Sequence, residues 1–387
     1  MTNIIDSIKD VFTKKEPLPA GLYAYQTPQD ADLQYRLHLR IEKDGSGLLV
    51  INASTILHLN QTAAEYAYHM IIQDSMESAV KEIAHRYKVD KAHVSEDYQD
   101  FQDKVMTLIQ TPNLDPVMYL DIERQEPYTD EKSAPYRLDC ALTYQVPDNS
   151  HHEHAPVDRV DRELTTDEWV MIFEKAFNNG IPHILFTGGE PTIREDLPEL
   201  ILKAEDLGLV TGLVTDGLQL VNDTYLEKLL VNGLDHLLIV FDPENPKEWD
   251  ALKKVLAGDL FTTVHLTLKK GIDLHPHIQH LSEMGANAIS LSESDKDLTD
   301  ELQELRDFAA IQQIDLVWDM PVPYSKNNPV ALELEAANEE DVPEGAGRAW
   351  LYVEPDGDVL PSQGMYNQVL GNMLTDSWEK IWESRQV

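Results

Sequence analysis

The sequence predicts an α/β fold: a partial (β/α)6-type TIM barrel, preceded by a winged-helix-like α+β domain and followed by a strand-rich C-terminal segment. Three observations predict it. From Arg137 to Trp318, short apolar runs alternate with amphipathic stretches, the rhythm of parallel strands joined by crossover helices. Between Gly21 and Ile109, period-two alternation gives way to three stretches with apolar residues at spacings of three and four. After residue 345, two apolar runs flank Pro355-Asp356-Gly357, a turn sequence.

In the first domain, residues 1–110, Leu22 and Ala24 and then Leu33, Tyr35, Leu37, Leu39 and Ile41 fall on one face of alternating strands. Lys43-Asp44-Gly45-Ser46-Gly47 turns the chain before Leu48-Leu49-Val50-Ile51, giving a small antiparallel sheet. The spacing predicts helices over Ala63–Ile72, Met76–Tyr87 and Val94–Ile109. Asn60, Asp74 or Ser75, and Asp90 precede them as caps, because a short polar side chain can accept a free N–H of the first turn. Residues 111–134, rich in Pro, Asp and Glu, read as a linker.

The barrel, residues 135–325, is expected to place strands at Arg137–Tyr144, His183–Thr187, Val210–Thr215, His236–Phe241, Thr263–Leu268, Ala288–Leu291 and Asp315–Trp318. Its organising stretch is Ile184-Leu185-Phe186-Thr187-Gly188-Gly189-Glu190-Pro191-Thr192, a buried strand breaking into a turn. The glycines permit positive φ and close backbone approach, so a ligand can sit against the main chain. Glu190 would then stand at the C-terminal end of the strand, where barrels hold their ligands. In the last segment, residues 326–387, Asn327 to Asp341 is acidic, and Trp378 and Trp382 mark a closing helix.

A formal charge of −38 excludes nucleic acid and anionic membranes as partners, since phosphates would be repelled. No apolar run reaches membrane-spanning length, and a cytoplasmic location is expected. The chain has one cysteine, Cys140, which leaves no partner for a disulfide and no set of thiolates for an iron–sulfur cluster.

Gly188-Gly189-Glu190-Pro191 resembles the end of the second strand of the radical S-adenosylmethionine (SAM) barrel, where the turn meets the methionine end of SAM. Further residues carry the same resemblance. Leu142-Thr143-Tyr144 stands where the first strand runs into the cluster loop, and Leu164 to Trp169 opens the first helix. Thr215-Asp216-Gly217 takes the place of that family's Thr-Asn-Gly, and Gly233-Leu234-Asp235 leads into the fourth strand. The resemblance implies a SAM site at Gly188, Gly189, Glu190, Pro191, Thr215, Asp216, Gly217 and Ser292. Leu59 to Tyr66, Ser78 to Ala84 with Tyr87 to Asp90, and Val94 to Asp97 leading to Phe101 resemble the PqqD-like peptide-recognition domain. That family adds a leader peptide to a sheet edge beside the third helix. An adaptor that only docks on the next domain is the alternative.

The chain departs from the radical SAM pattern at its cluster. Counting CxxxCxxC on from Tyr144 puts Val146, Ser150 and Glu153 in the cysteine places, while Cys140 reads as a small buried hydrophobe. His151, His152 and His154 in the replaced loop read as solvated residues after a turn, and no metal site is assigned. His275, His277 and His280 read as helix-surface residues. The hairpin after residue 345 resembles the SPASM or twitch extension, with Ser362 where a cluster cysteine would stand. The expectation is therefore a peptide-binding scaffold of radical SAM–SPASM descent, with no iron–sulfur cluster and at most weak SAM binding. The alternative is an enzyme using the barrel mouth through Glu190, Asp216, Asp242, His265 and Asp319.

Overall fold

The computed structural model describes residues 18–28, 30–52, 55–111, 114–120, 132–147, 156–258, 260–294, 296–317 and 345–385. They fall in two compact units, Met1–Gln125 and Glu126–Val387.

In the first unit, β1 (Gly21–Gln26), β2 (Arg36–Ile41), β3 (Gly47–Ile51) and β4 (Thr55–Leu59) pair antiparallel in chain order. Three helices follow: α1 (Gln61–Ile71), α2 (Met76–Tyr87) and α3 (Lys91–Gln110). Each starts where a short polar side chain can take a first-turn N–H. Asn60 accepts from Ala63, Ser75 from Ser78, and Asp90 from Ala92. Ser75 rather than Asp74 is thus the second cap. Leu37, Leu39, Ile41, Leu49 and Ile51 of the sheet share one buried cluster with Ala64, Ala67 and Ile71 of α1 and with Val105, Leu108 and Ile109 of α3. Each such side chain contributes about 1.5–3 kcal/mol by leaving water.

The stretch expected as a linker is not featureless. It holds a short helix, α4 (Pro116–Leu120), and at its far end the carbonyls of Lys132 and Ser133 accept from the indole N–H groups of Trp382 and Trp378.

The second unit carries β5 (Arg137–Thr143), β6 (His183–Gly188), β7 (Val210–Thr215), β8 (His236–Val240), β9 (Phe261–Leu268), β10 (Ala288–Glu293) and β11 (Asp315–Leu316), all parallel and side by side in chain order. The crossovers hold α5 (Thr166–Asn178), α6 (Leu197–Asp206), α7 (Asp223–Val231), α8 (Pro246–Leu256), α9 (His275–Met284) and α10 (Thr299–Ile311). The last strand is shorter than the sequence suggests, and Trp318 lies outside the described residues. On the far side of β5 the sheet continues: β12 (Trp350–Val353) runs parallel to β5, and β13 (Asp358–Leu360) and β14 (Gly371–Asn372) add antiparallel. The C-terminal strands therefore extend the barrel's own sheet. A closing helix, α11 (Trp378–Glu383), carries the two tryptophans stacked at 5.4 Å.

Alternation sorts the strand residues into two faces. Cys140, Ile184, Phe186, Leu213, Leu237, Ile239, Val264, Leu266 and Ile289 are buried in one cluster with Trp169 and Phe173 of α5, Leu200 of α6 and Ile278 of α9. Leu185, Val214, Leu238 and Val240, one residue out of phase, form a separate cluster on the face away from the helices.

Candidate functional site

The glycines after β6 do something other than cradle a ligand. Gly188 has φ +134, and a Cβ there would lie 2.1 Å from the carbonyl oxygen of Thr143. At Gly189 a Cβ would lie 2.2 Å from the carbonyl oxygen of Gln145. The Gly189 N–H donates to Thr143 O at 2.7 Å and the Glu190 N–H to Gln145 O at 2.9 Å. The close approach that requires glycine is thus made to the chain leaving β5. The glycines thereby fix the path of the turn that carries Glu190.

Glu190 is fully buried and already engaged. Its Oε1 accepts from the Thr192 N–H at 3.0 Å, the Thr192 hydroxyl at 2.6 Å and the Thr215 hydroxyl at 2.7 Å, and its Oε2 accepts from the Asp216 N–H at 2.8 Å. The side chain braces its own turn, a short 3-10 segment Pro191–Ile193, to the end of β7. Asp216 is buried beside it, with Oδ1 accepting from the Leu218 N–H at 2.9 Å. Gly217 follows with φ +76 and donates to the Thr215 hydroxyl at 3.1 Å. Burial and the neighbouring Glu190 charge push the Tyr225 phenol upward.

So the structure brings Glu190, Pro191, Thr215, Asp216 and Gly217 together, as the sequence suggests. Ser292 stands three strands along the sheet from β7. It sits at the end of β10, its hydroxyl 3.1 Å from Nε2 of His265 on β9. Asp242 accepts from the Glu244 N–H at 2.9 Å in the turn before α8, and Asp319 lies outside the described residues. Sequence reasoning passed over Thr187, whose hydroxyl is buried at the end of β6 with no hydrogen-bond partner among the described residues. It also passed over Thr192, which supplies two of the bonds to Glu190. Thr187 faces away from the helices with Leu185, a position that period-two counting from Ile184 and Phe186 identifies.

The chain leaving β5 is tied down from several sides. Glu163 accepts from the Thr143 hydroxyl at 2.5 Å, and Arg194 donates to the carbonyls of Leu142 at 2.9 Å and Leu164 at 3.1 Å. Tyr144 donates to Glu354 at 2.8 Å, and Arg159 binds the same carboxylate with both Nε and a terminal nitrogen while stacking over Tyr366. Val146 falls in this anchored chain. Ser150 and Glu153, with His151, His152 and His154, lie outside the described residues.

A run of parallel strands whose second member ends in Gly-Gly-Glu-Pro, braced to Thr-Asp-Gly on the third, has the build of a radical SAM barrel. Residues 142–275 match the Radical SAM superfamily, so the chain carries a radical SAM domain. PqqA peptide cyclase of Granulibacter bethesdensis is 32% identical over 151 residues, covering 36% of this chain and 40% of the relative, which relates the domain to peptide-modifying enzymes. The chain thus matches less than half the length of that curated relative. SuiB of Streptococcus suis bound to S-adenosylmethionine shares the fold with a TM-score of 0.59 at 14% identity, covering 93% of this chain and 88% of SuiB. SuiB bound to its precursor peptide SuiA gives 0.57 at 16% identity, covering 89% and 86%.

These matches correct one expectation. A chain with no cluster and little SAM affinity was read from its cysteine count, whereas the superfamily it matches is one of SAM chemistry and SuiB is seen with SAM bound. What the residues offer is a separate matter. The single Cys140 is fully buried in β5 on the helix-facing side, its thiol pushed well above the usual range by burial and then by Asp139. It does not supply the three thiolates of a cysteine-held cluster, and no group of three His, Cys, Asp or Glu side chains among the described residues is placed to hold a metal. Ser362, in the second cluster place, is buried and accepts from the Trp350 indole at 3.1 Å. No helix among the described residues is long and apolar enough to cross a membrane.

Proposed function

We propose that this chain binds a peptide, with the first unit taking an extended segment of it as an added strand, and that its role is that of a binding scaffold related to peptide-modifying radical SAM enzymes. The observation that carries the reading is the state of the sheet edges. β1 and β4 each pair with one neighbour among the described strands, on β2 and β3 respectively. Neither Gly21–Gln26 nor Thr55–Leu59 contains a charged residue or a proline, the devices with which proteins commonly block edge pairing. An edge strand without such residues is suited to strand addition, with main-chain bonds giving affinity and side-chain pockets giving selectivity. The naming of PqqA and of the precursor peptide SuiA among the relatives supports a peptide as the partner.

In the second unit the reading places SAM at the ends of β6 and β7, by Gly188, Gly189, Glu190, Pro191, Thr215, Asp216 and Gly217. The unpartnered Thr187 hydroxyl is the feature that supports a polar ligand atom there. Glu190 and the glycines would shape this site through the backbone they brace.

Amide hydrogen exchange on the full chain tests the peptide reading, using synthetic precursor peptides encoded beside the gene. Protection confined to β1 or β4 is expected. Absence of protection on both edges for all such peptides overturns it.

A further inference from the structure

The face of the sheet away from the helices is apolar along β6 to β8, where Leu185, Val214, Leu238 and Val240 pack together. On the next two strands its character changes. Val264, Leu266 and Ile289 point to the helix side, so the alternate residues His265 and Thr267 of β9 and Ser290 and Ser292 of β10 share the opposite face. They form one network. His265 Nδ1 lies 3.1 Å from the Ser290 hydroxyl, and Nε2 lies 3.1 Å from the Ser292 hydroxyl and 3.3 Å from that of Thr267.

We propose that Thr267 and Ser292, backed by His265 and Ser290, form a subsite for an uncharged amide group of a peptide substrate. The inference rests on the peptide-binding reading above for its choice of ligand. His265 and Ser290 are buried, whereas Thr267 and Ser292 are only half-buried, so the network opens outward at those two hydroxyls. A neutral imidazole has one donor and one acceptor, and each hydroxyl has one donor and two acceptor sites. Four side chains sharing these three contacts therefore keep capacity to donate and to accept, which is what an amide requires. Burial pushes the His265 imidazole down to about 4, so it is uncharged at neutral pH. The subsite thus attracts neither a cation nor an anion by charge, in a chain whose formal charge is −38. His265 acts as a positioning residue: its tautomer decides which serine donates to it and which accepts. Strands lie about 5 Å apart, which puts this network roughly 10–20 Å along the sheet from the ends of β6 and β7. That separation favours a substrate group over the portion of SAM held at those ends.

The test uses the full chain with 15N-labelled histidine and reads the His265 ring nitrogens, assigned by their loss in His265→Gln. The probe is N-acetylglycine N-methylamide, a neutral diamide, with adenosine, acetate and methylammonium in parallel arms. A saturable shift with the diamide, absent with the two ions and weakened about fivefold in Ser292→Ala with Thr267→Val, is expected from the loss of two uncharged hydrogen bonds. Should the double variant not fold, Ser292→Ala alone is read. A shift with adenosine and not the diamide would make this a nucleoside subsite, and no shift with any probe would remove the subsite altogether. Either result overturns the proposal. Edge protection in the first unit is a separate readout, so the two readings fail independently.

Discussion

The Glu190 side chain at the end of β6 receives the Thr215 hydroxyl from the end of β7 at 2.7 Å, joining two adjacent parallel strands at the end of the sheet where ligands of such folds bind. With three further donors on the same carboxylate, the contact braces the turn Pro191–Ile193. Replacing Glu190 by Gln keeps the shape, and its oxygen can stay at the Oε1 place while the amide NH2 takes that of Oε2 and faces the Asp216 N–H. That buried donor loses its acceptor, at about 1–3 kcal/mol. Glu190→Gln is expected to lower the thermal midpoint of the second unit by roughly 2–12 °C. Calorimetry on the full chain checks it, and an unchanged midpoint would show that the brace is dispensable.

The glycine pair invites a comparison with a glycine that has room. At Gly208, φ is +82 and nothing lies within 4 Å of an added Cβ, so Gly208→Ala pays only the left-handed backbone cost of about 1–2 kcal/mol. At Gly189 the added methyl meets a carbonyl oxygen at 2.2 Å, which only a shift of the backbone can relieve. Gly189→Ala is expected to cost at least about 3 kcal/mol more than Gly208→Ala in urea unfolding. Equal costs would mean that the turn moves freely away from β5.

Much of this was legible in the sequence because it is local. Strand β7 at Val210–Thr215 follows directly from a bounded apolar run, and the caps Asn60 and Asp90 from residue type and position. What stayed hidden depends on partners distant in the chain. Nothing near Trp350 announces that it pairs beside Arg137 and carries the sheet onward. The glycines' role is of the same kind, since the motif signals close approach without saying to what. The contact of Ser292 with His265 is also of this kind, since it is set by the pairing of β10 with β9 and not by the residues around either.

A buried histidine, His265, and a partly buried one, His236, set a pH dependence. Burial, with Arg137 nearby, brings His236 down to about 4, and burial alone brings His265 down to about 4, from an ordinary 6.5. Below pH 6.5 the unfolded chain takes up protons on both while the folded chain does not, so their contribution is full above pH 6.5 and is lost as pH falls toward 4. Each accounts for about 3 kcal/mol at most. Glu168, held down to about 2 by the Arg162 guanidinium and the Thr165 N–H, acts in a separate window between pH 4.5 and 2. Urea midpoints measured from pH 7.5 to 4.5 should fall, and His265→Asn should flatten part of that fall. A midpoint constant over the range would contradict the lowering of both imidazoles.

Glu354 is buried in the turn after β12, where it accepts from Tyr144 at 2.8 Å and from both ends of the Arg159 guanidinium. Arg159 is only partly buried and has a second support in the Tyr366 ring, 4.1 Å from its guanidinium carbon. The two residues are therefore unequal. Removing Arg159 leaves a buried carboxylate that still has Tyr144, whereas removing Glu354 leaves Tyr144 without its acceptor and a cation that can turn to solvent. An uncompensated buried charge is the costlier outcome, so Arg159→Ala is expected to destabilise by about 3 kcal/mol and Glu354→Ala by about 1–2 kcal/mol. In the double variant most of the Arg159 cost should disappear, giving a coupling of about 1–3 kcal/mol. Additive losses in a double-mutant cycle would show that the pair does not hold the segment after the replaced loop against the C-terminal hairpin.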